Sequence, residues 1–234
     1  AGKPDYNGCT VYNDFREIIN RLRQEHGTRW AACTGRSFRS FKDFFSPMRT
    51  MGVMPDYVIV HHAYIYSLTP FGYLPHLAWN LRIRLLIWAN QLQVRESVEE
   101  WYQMIAHVAL GVRTIRKRKD RLWLSFETEE SAAVAAQMLR EKVKPYRQLQ
   151  VFKYLKEVDV RSVPFTKGLA VSELARHLAV PTGEILTMGN GLNDISMLDP
   201  EVAGYTGCPA NSEPEVMATV NRAGGHIAQG RALA

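Results

Sequence analysis

Between residues 11 and 25 the apolar positions Val11, Phe15, Ile18, Ile19 and Leu22 recur at helical intervals, so they share one stripe and predict an amphipathic helix. A short loop leads to Trp30-Ala31-Ala32-Cys33, an uninterrupted run of strand length. It stops at Thr34-Gly35-Arg36, and Phe38, Phe41, Phe44 and Phe45 follow in a helical stretch. Helix, strand, loop and helix in that order suit an α/β sheet with crossover connections.

The pattern changes after that. Tyr57–Val60 predicts a strand, followed by His61-His62 and a second extended piece, Ala63–Tyr66. In residues 77–90 Leu81, Ile83, Leu85 and Ile87 alternate, but no turn residue interrupts the run, and its composition predicts a helix. A separate helix is expected over 97–109, with Val98, Trp101, Ile105 and Val108 in register. Leu122–Phe126 predicts a strand, 129–143 an alanine-rich helix opened by Glu129-Glu130, and Leu149–Val160 a strand-rich segment. The middle of the chain therefore reads as an α+β insertion.

From Pro164 the α/β pattern returns. Thr166-Lys167-Gly168 opens a predicted helix over 168–179, and Pro181-Thr182-Gly183 marks a turn. Ile185–Met188 is a buried strand that breaks off at Gly189-Asn190-Gly191, and a helix is expected after Gly191. A short last strand, Ala203–Thr206, and a helix over 213–222 complete the pattern. The expected fold class is α/β: a core domain with a parallel sheet from residues 1–37 and 163–234, carrying an α+β cap domain over 38–162.

Composition narrows the possibilities. The chain has 234 residues, 46% of them apolar, enough for one domain with an insertion. It holds no run of 18 uncharged apolar residues, so no membrane span is expected, and Ala1–Asp5 has no apolar signal region. The three cysteines, Cys9, Cys33 and Cys208, lie far apart. They argue against a disulfide framework or a zinc knuckle, and a reducing, cytoplasmic setting is expected. The net charge of +6 suits anionic ligands. Arg113, Arg116, Lys117, Arg118, Lys119 and Arg121 crowd into nine residues, which read as a solvated hairpin or loop ahead of a strand. No nucleic-acid motif accompanies them, so nucleic acid is not the expected partner.

Ligands of open α/β sheets bind at the carboxyl ends of strands. Three such ends carry polar residues here: Thr34-Gly35-Arg36, Thr166-Lys167-Gly168 and Gly189–Asp194. Backbone amides at helix starts and glycine turns bind anions, and a lysine adds a point charge. A carboxylate beside bound phosphate calls for a cation between them, so Asp194 implies Mg²⁺. Each piece has a plainer alternative. Thr34 could cap the next helix, Lys167 could face solvent, and Gly189-Asn190-Gly191 could be an ordinary turn with Asn193 or Asp194 as a cap.

Taken together, "ACTGRS", "PFTKGLAVSEL" and "MGNGLNDISML" resemble motifs II, III and IV of the haloacid dehalogenase-like (HAD) phosphatase superfamily. The long insertion resembles the large-cap type IIB branch, which holds sucrose-phosphate and mannosyl-phosphoglycerate phosphatases. "PDYVIVHHAYIY" lies where that branch usually has a strand followed by Asn-Gly-Ala, and "GCPANSEPEV" resembles its Asn-Ala element after the last core strand. The resemblance implies a Rossmann-like core and a Mg²⁺-dependent attack by an aspartate, through an aspartyl-phosphate that water then hydrolyses.

In that scheme Thr34 and Gly35 bind phosphate, and Lys167 neutralises the transferring group. Asn190 and Asp194 hold the metal, with Asn193, Asn211 and Arg36 supporting the site. His61 and His62 lie at its mouth, in the cap. Trp79, Trp88, Trp101 and Trp123 could stack on a sugar, although most are expected in the cap's core.

Two departures stand out. The family's nucleophile lies in an Asp-x-Asp motif ending a first strand, whereas Ala1–Gly8 is polar and Asp5 and Asp14 lack that context. The expectation is that flanking residues are omitted from the chain, since losing a central strand would leave unpaired edges. The second is Asn190, where an aspartate is usual; its carbonyl oxygen can ligate Mg²⁺ but brings no charge. The expected function is hydrolysis of a small phosphorylated metabolite, most plausibly a sugar phosphate. The alternatives are a catalytically weak relative that binds a phosphorylated ligand or a protein partner, and a nucleic-acid role for residues 113–121.

Overall fold

A computed structural model describes residues 13–108, 111–118, 121–146, 149–162 and 165–230. Two compact units divide at Asn80/Leu81 and Phe165/Thr166.

The first unit opens with α1 (Asn13–His26), β1 (Ala31–Cys33), α2 (Phe38–Phe44) and α3 (Ser46–Thr50). β2 (Tyr57–Val60), β3 (Tyr64–Thr69) and β4 (Gly72–Pro75) follow. β1 pairs parallel with β2, and β2–β3–β4 continue antiparallel. Arg23 of α1 meets Asp56 at 3.0 Å, and the same carboxylate accepts from the Trp30 amide at 2.9 Å, which ties helix and strand together. Phe41, Val58 and Val60 pack in one core cluster with Ala32.

After the second unit the chain returns with α6 (Lys167–Leu178), β9 (Leu186–Met188), a 3-10 turn (Leu192–Met197), β10 (Tyr205–Cys208), α7 (Pro214–Arg222) and β11 (His226–Ile227). β9, β10 and β11 form a parallel three-stranded sheet, with β10 central. Leu198, Cys208, Val216 and Val220 seat α7 against it. The segment after Gly191 is thus a 3-10 turn rather than the expected α-helix, and the strand predicted at 203–206 runs two residues later.

The second unit holds most of α4 (Leu77–His107), followed by β5 (Val112–Arg118), β6 (Arg121–Phe126), α5 (Glu129–Val143), β7 (Leu149–Tyr154) and β8 (Glu157–Ser162). The strands form an antiparallel sheet in the order β5-β6-β8-β7. Thr128 caps α5 by accepting from the Ser131 amide at 3.1 Å. Its buried face is Ala132, Ala135, Ala136, Leu139 and Val143, and the three alanines let the helix lie close to the sheet. Val98, Trp101 and Ile105 complete that core.

Two further sequence readings change. The separate helices expected at 77–90 and 97–109 are one helix, since no glycine or proline interrupts the span. Residues 38–80, placed with the cap on pattern alone, group with the first unit. The reason is local: β2 pairs with β1, and the start of α4 is pinned to the β2–β3 hairpin. Asn80 accepts from the Ile65 amide and donates to the Ile65 carbonyl, both at 2.9 Å, and Trp79 donates to Ala63 at 2.8 Å.

The basic run forms the β5–β6 hairpin, with Lys119 outside the described residues. Arg113 and Arg116 are exposed, and Arg116 lies over the Trp123 ring at 5.1 Å. Trp79 and Trp101 are buried core residues, whereas Trp88 is exposed. No helix among the described residues is long and apolar enough to cross a membrane.

Candidate active site

β1 ends at Cys33, and the chain turns at Thr34-Gly35-Arg36. The Thr34 amide donates to Ile59 at 2.8 Å, and the Thr34 hydroxyl oxygen accepts from the Arg36 amide at 3.1 Å. The turn is fastened to the next loop: the His62 amide donates to Thr34 O at 3.2 Å and the His61 amide to Arg36 O at 3.0 Å. Arg36 lays its guanidinium over Phe44, 4.1 Å from the ring centre.

His61 and His62 are the two central residues of the turn between β2 and β3. The Ala63 amide donates to Val60 O at 3.0 Å, and φ is 49° at His61 and 66° at His62. Positive φ at both centres matches the right-handed twist of a hairpin and favours Asn-Gly. The Asn-Gly usual at this place in the resembled branch therefore has a backbone reason. The imidazole of His62 lies against Gly35, where a Cβ would come within 2.7 Å of the ring. Burial lowers the pKa of His61.

Lys167 is the first residue of α6, which Thr166 caps by accepting from the Leu169 amide at 3.2 Å. The Lys167 ammonium is buried and ion-paired with Asp194 Oδ1. Asp194 Oδ2 accepts from the backbone amides of Asn190 at 2.9 Å and Gly191 at 3.0 Å. One carboxylate thus closes the glycine turn and holds the lysine.

The glycines have steric reasons. A Cβ on Gly168 would lie 1.9 Å from Ser196 O, and one on Gly189 would lie 2.3 Å from Asp194 Cβ. Gly168 instead donates its amide to Ser196 Oγ at 3.1 Å. Asn193 is half-buried in the 3-10 turn, while Asn190 and Asn211 are exposed. The Asn190 carbonyl accepts from the Glu213 amide at 3.1 Å, and Glu213 Oε1 accepts from the Leu192 amide at 3.3 Å.

Cys33 joins the two clusters. Burial pushes its thiol up to about 12, while the charge of Lys167 pulls it down and that of Asp194 pushes it up. The end of β1 therefore lies within electrostatic reach of the Lys167–Asp194 pair. Sequence reasoning passed over Cys33 as a site neighbour, and also Glu213 and Ser196. Cys33 could have been found, since it immediately precedes Thr34; nothing in the sequence singles out Glu213.

The expected Mg²⁺ set does not fit what is described. Mg²⁺ takes hard oxygen donors, usually with at least one free carboxylate. Both Asp194 oxygens are engaged, and Asn190 offers a neutral carboxamide. Among the described residues no group of three or more His, Cys, Asp or Glu could hold a metal ion. Asp194 fits support of the loop and of Lys167 rather than ligation.

The geometry agrees with what is known of related chains. Residues 112–229 match the family of haloacid dehalogenase-like hydrolases. The sucrose-phosphatase of Synechocystis sp. PCC6803, solved with sucrose and phosphate, has a similar fold at 20% identity. The match covers 96% of this chain and 89% of that one, with a TM-score of 0.61. The Aspergillus fumigatus trehalose-6-phosphate phosphatase is similar at 14% identity, over 92% of this chain and 85% of that one, with a TM-score of 0.55. The haloacid dehalogenase-like protein yhjK of Bacillus subtilis is similar at 15%, over 95% and 82%, with a TM-score of 0.59. No curated protein matches the chain. The matched span, the Rossmann-like arrangement of parallel strands and helices with a second α+β unit, and the strand-end cluster around Lys167 converge on one family: the chain belongs to the haloacid dehalogenase-like hydrolases.

Proposed function

We propose that this hydrolase is a phosphatase acting on a small phosphorylated metabolite, a sugar phosphate in the first instance. The observation that carries the reading is the buried Lys167 ammonium, fixed by Asp194 at the start of α6 and within electrostatic reach of the end of β1. A preorganised cation at a strand end stabilises the charge that spreads over a transferring phosphoryl group. The Thr34 hydroxyl oxygen accepts from the Arg36 amide, so its own proton is directed elsewhere and can be donated to a phosphoryl oxygen. The sugar-phosphate class is supported by the fold shared with two sugar-phosphate phosphatases. Residues 81–165 are proposed as the cap that selects among such substrates.

The attacking carboxylate is not Asp194, whose oxygens are both engaged. A metal ion in such an enzyme would neutralise phosphate charge, and the described residues would offer it little beyond the neutral Asn190 carboxamide.

That same shortfall favours a second reading, a catalytically weak relative that binds a phosphorylated ligand. Phosphate release from a panel of sugar phosphates, with and without Mg²⁺, separates the two. Under the first reading Lys167→Ala lowers turnover ~10²-fold, equivalent to about 3 kcal/mol of lost charge stabilisation. Absence of turnover together with calorimetric binding of a sugar phosphate selects the second reading.

A further inference from the structure

Two histidines far apart in sequence meet within the first unit. His76 is the residue between β4 and α4, and His177 lies in the last turn of α6. Their ring centres are 4.6 Å apart, with the planes at 57°. The backbone holds both in place. The His76 amide donates to Ile65 O at 3.0 Å, its carbonyl accepts from the Asn80 amide at 2.8 Å, and α6 packs against β3. His76 is half-buried and His177 exposed, so solvent reaches the pair from one side. Lys167 opens the same helix, about 15 Å away along its axis, so the pair is separate from the candidate active site.

Two imidazoles in contact disfavour protonation of both. Burial lowers the pKa of His76, the charge of His177 lowers it further, and Glu173 opposes them. The pair thus favours neutral rings, the form that ligates a metal. Ser67 supplies the outer support that a ligating histidine needs, with its hydroxyl oxygen 2.6 Å from His76 Nε2. When Nε2–H donates to that oxygen, the lone pair of Nδ1 is left for an ion. Zn²⁺ lies about 2.0–2.1 Å from an imidazole nitrogen, so two nitrogens sharing one ion are at most roughly 4 Å apart, within reach of rings this close. Glu173 precedes His177 by one helical turn and brings a carboxylate to the same side of α6. Its partner there is the exposed Arg176, at 2.8 Å.

We propose that His76 and His177 bind one divalent transition-metal ion of the Zn²⁺ class, which clamps the end of α6 to the start of α4. Water completes the coordination, since among the described residues no group of three or more His, Cys, Asp or Glu could hold a metal ion. Imidazole suits Zn²⁺, Ni²⁺ and Cu²⁺, whereas Mg²⁺ takes hard oxygen donors. The site therefore differs in place and in chemistry from any Mg²⁺ at the Asn190 turn.

The test is calorimetric titration of Zn²⁺ into the untagged full chain at about pH 7.5, where both rings are neutral. A site of micromolar affinity is expected, and excess Mg²⁺ should not displace the ion. His177→Ala should abolish this binding and keep the wild-type circular dichroism, because the position is exposed. Ser67→Ala should weaken it roughly tenfold or more. Zn²⁺ should raise the Tm of the wild type and leave that of His177→Ala unchanged. At about pH 5 protons occupy both rings and binding should be lost. A chain that binds no Zn²⁺ overturns the proposal. So does one that binds it equally well without His177, which assigns the ion to another place such as the His61-His62 turn. Mg²⁺ competing on equal terms, or an affinity unchanged in Ser67→Ala, overturns it too. None of these measurements depends on turnover, so the phosphatase reading stands or falls separately.

Discussion

Lys167 and Asp194, 27 positions apart in sequence, share a buried ion pair, and the carboxylate that holds the ammonium also closes the Asn190-Gly191 turn with its second oxygen. The lysine at the start of α6 and the glycine turn after β9 are therefore one unit.

Removing one partner should be far more costly than removing both. Asp194→Ala leaves an uncompensated buried ammonium and two turn amides without their acceptor, a loss of about 3–5 kcal/mol. Adding Lys167→Met to that variant should restore part of the loss, because a methionine fills the space without a charge. Urea unfolding of the wild type, Asp194→Ala and the double variant measures this. An Asp194→Ala protein within about 1 kcal/mol of the wild type would show that the pair does not organise the loop.

The His61-His62 turn should give the opposite sign. Two residues other than glycine or asparagine hold positive φ there, and such backbone costs of order 1 kcal/mol each. His61→Gly relieves one of them and should raise stability by about 0.5 kcal/mol after glycine's own entropy is set against it. His62 gains less from the same change, because its ring packs on Gly35. A thermal melt decides, and a lower Tm for His61→Gly would mean that the imidazole, not the backbone, sets this position. Phosphate release on the same variant reports whether His61 touches substrate.

Asn190→Asp should tighten Mg²⁺ binding roughly tenfold or more, since it adds a free carboxylate to a turn whose existing carboxylate is engaged. Calorimetric titration of Mg²⁺ into the wild type and the variant checks it. Equal affinities would take position 190 out of any metal site.

Much of this was legible in the sequence because it rests on local signals. Thr166-Lys167-Gly168 announces a capped helix start with a cation, and Gly189-Asn190-Gly191 announces a strand that must turn sharply. Side-chain partnership across the chain was not legible. Asp194 reads equally well as a metal ligand, a cap or a lysine's partner, and only the fold decides, by bringing α6 and the glycine turn together. Similarly, His61-His62 follows a strand without glycine or asparagine, so nothing in the residues signals a turn that needs positive φ at both centres. The span 77–107 reads as two helices because the alternation of Leu81, Ile83, Leu85 and Ile87 hides the helical period of its first half. Its first half keeps a second, solvent-facing apolar line, and that line blurs the single period expected of a surface helix.

The raised pKa of Cys33 has a consequence for covalent chemistry at the site. With the thiol pushed up to about 12, only about one molecule in 10⁵ carries the thiolate at pH 7. Alkylating reagents and peroxide act on the thiolate, so the folded protein presents them with almost nothing at this position. Modification of Cys33 would then count the moments when the end of β1 comes away from its surroundings. It would act as a chemical clock for local opening beside Thr34, set into the chain by the residue that precedes it.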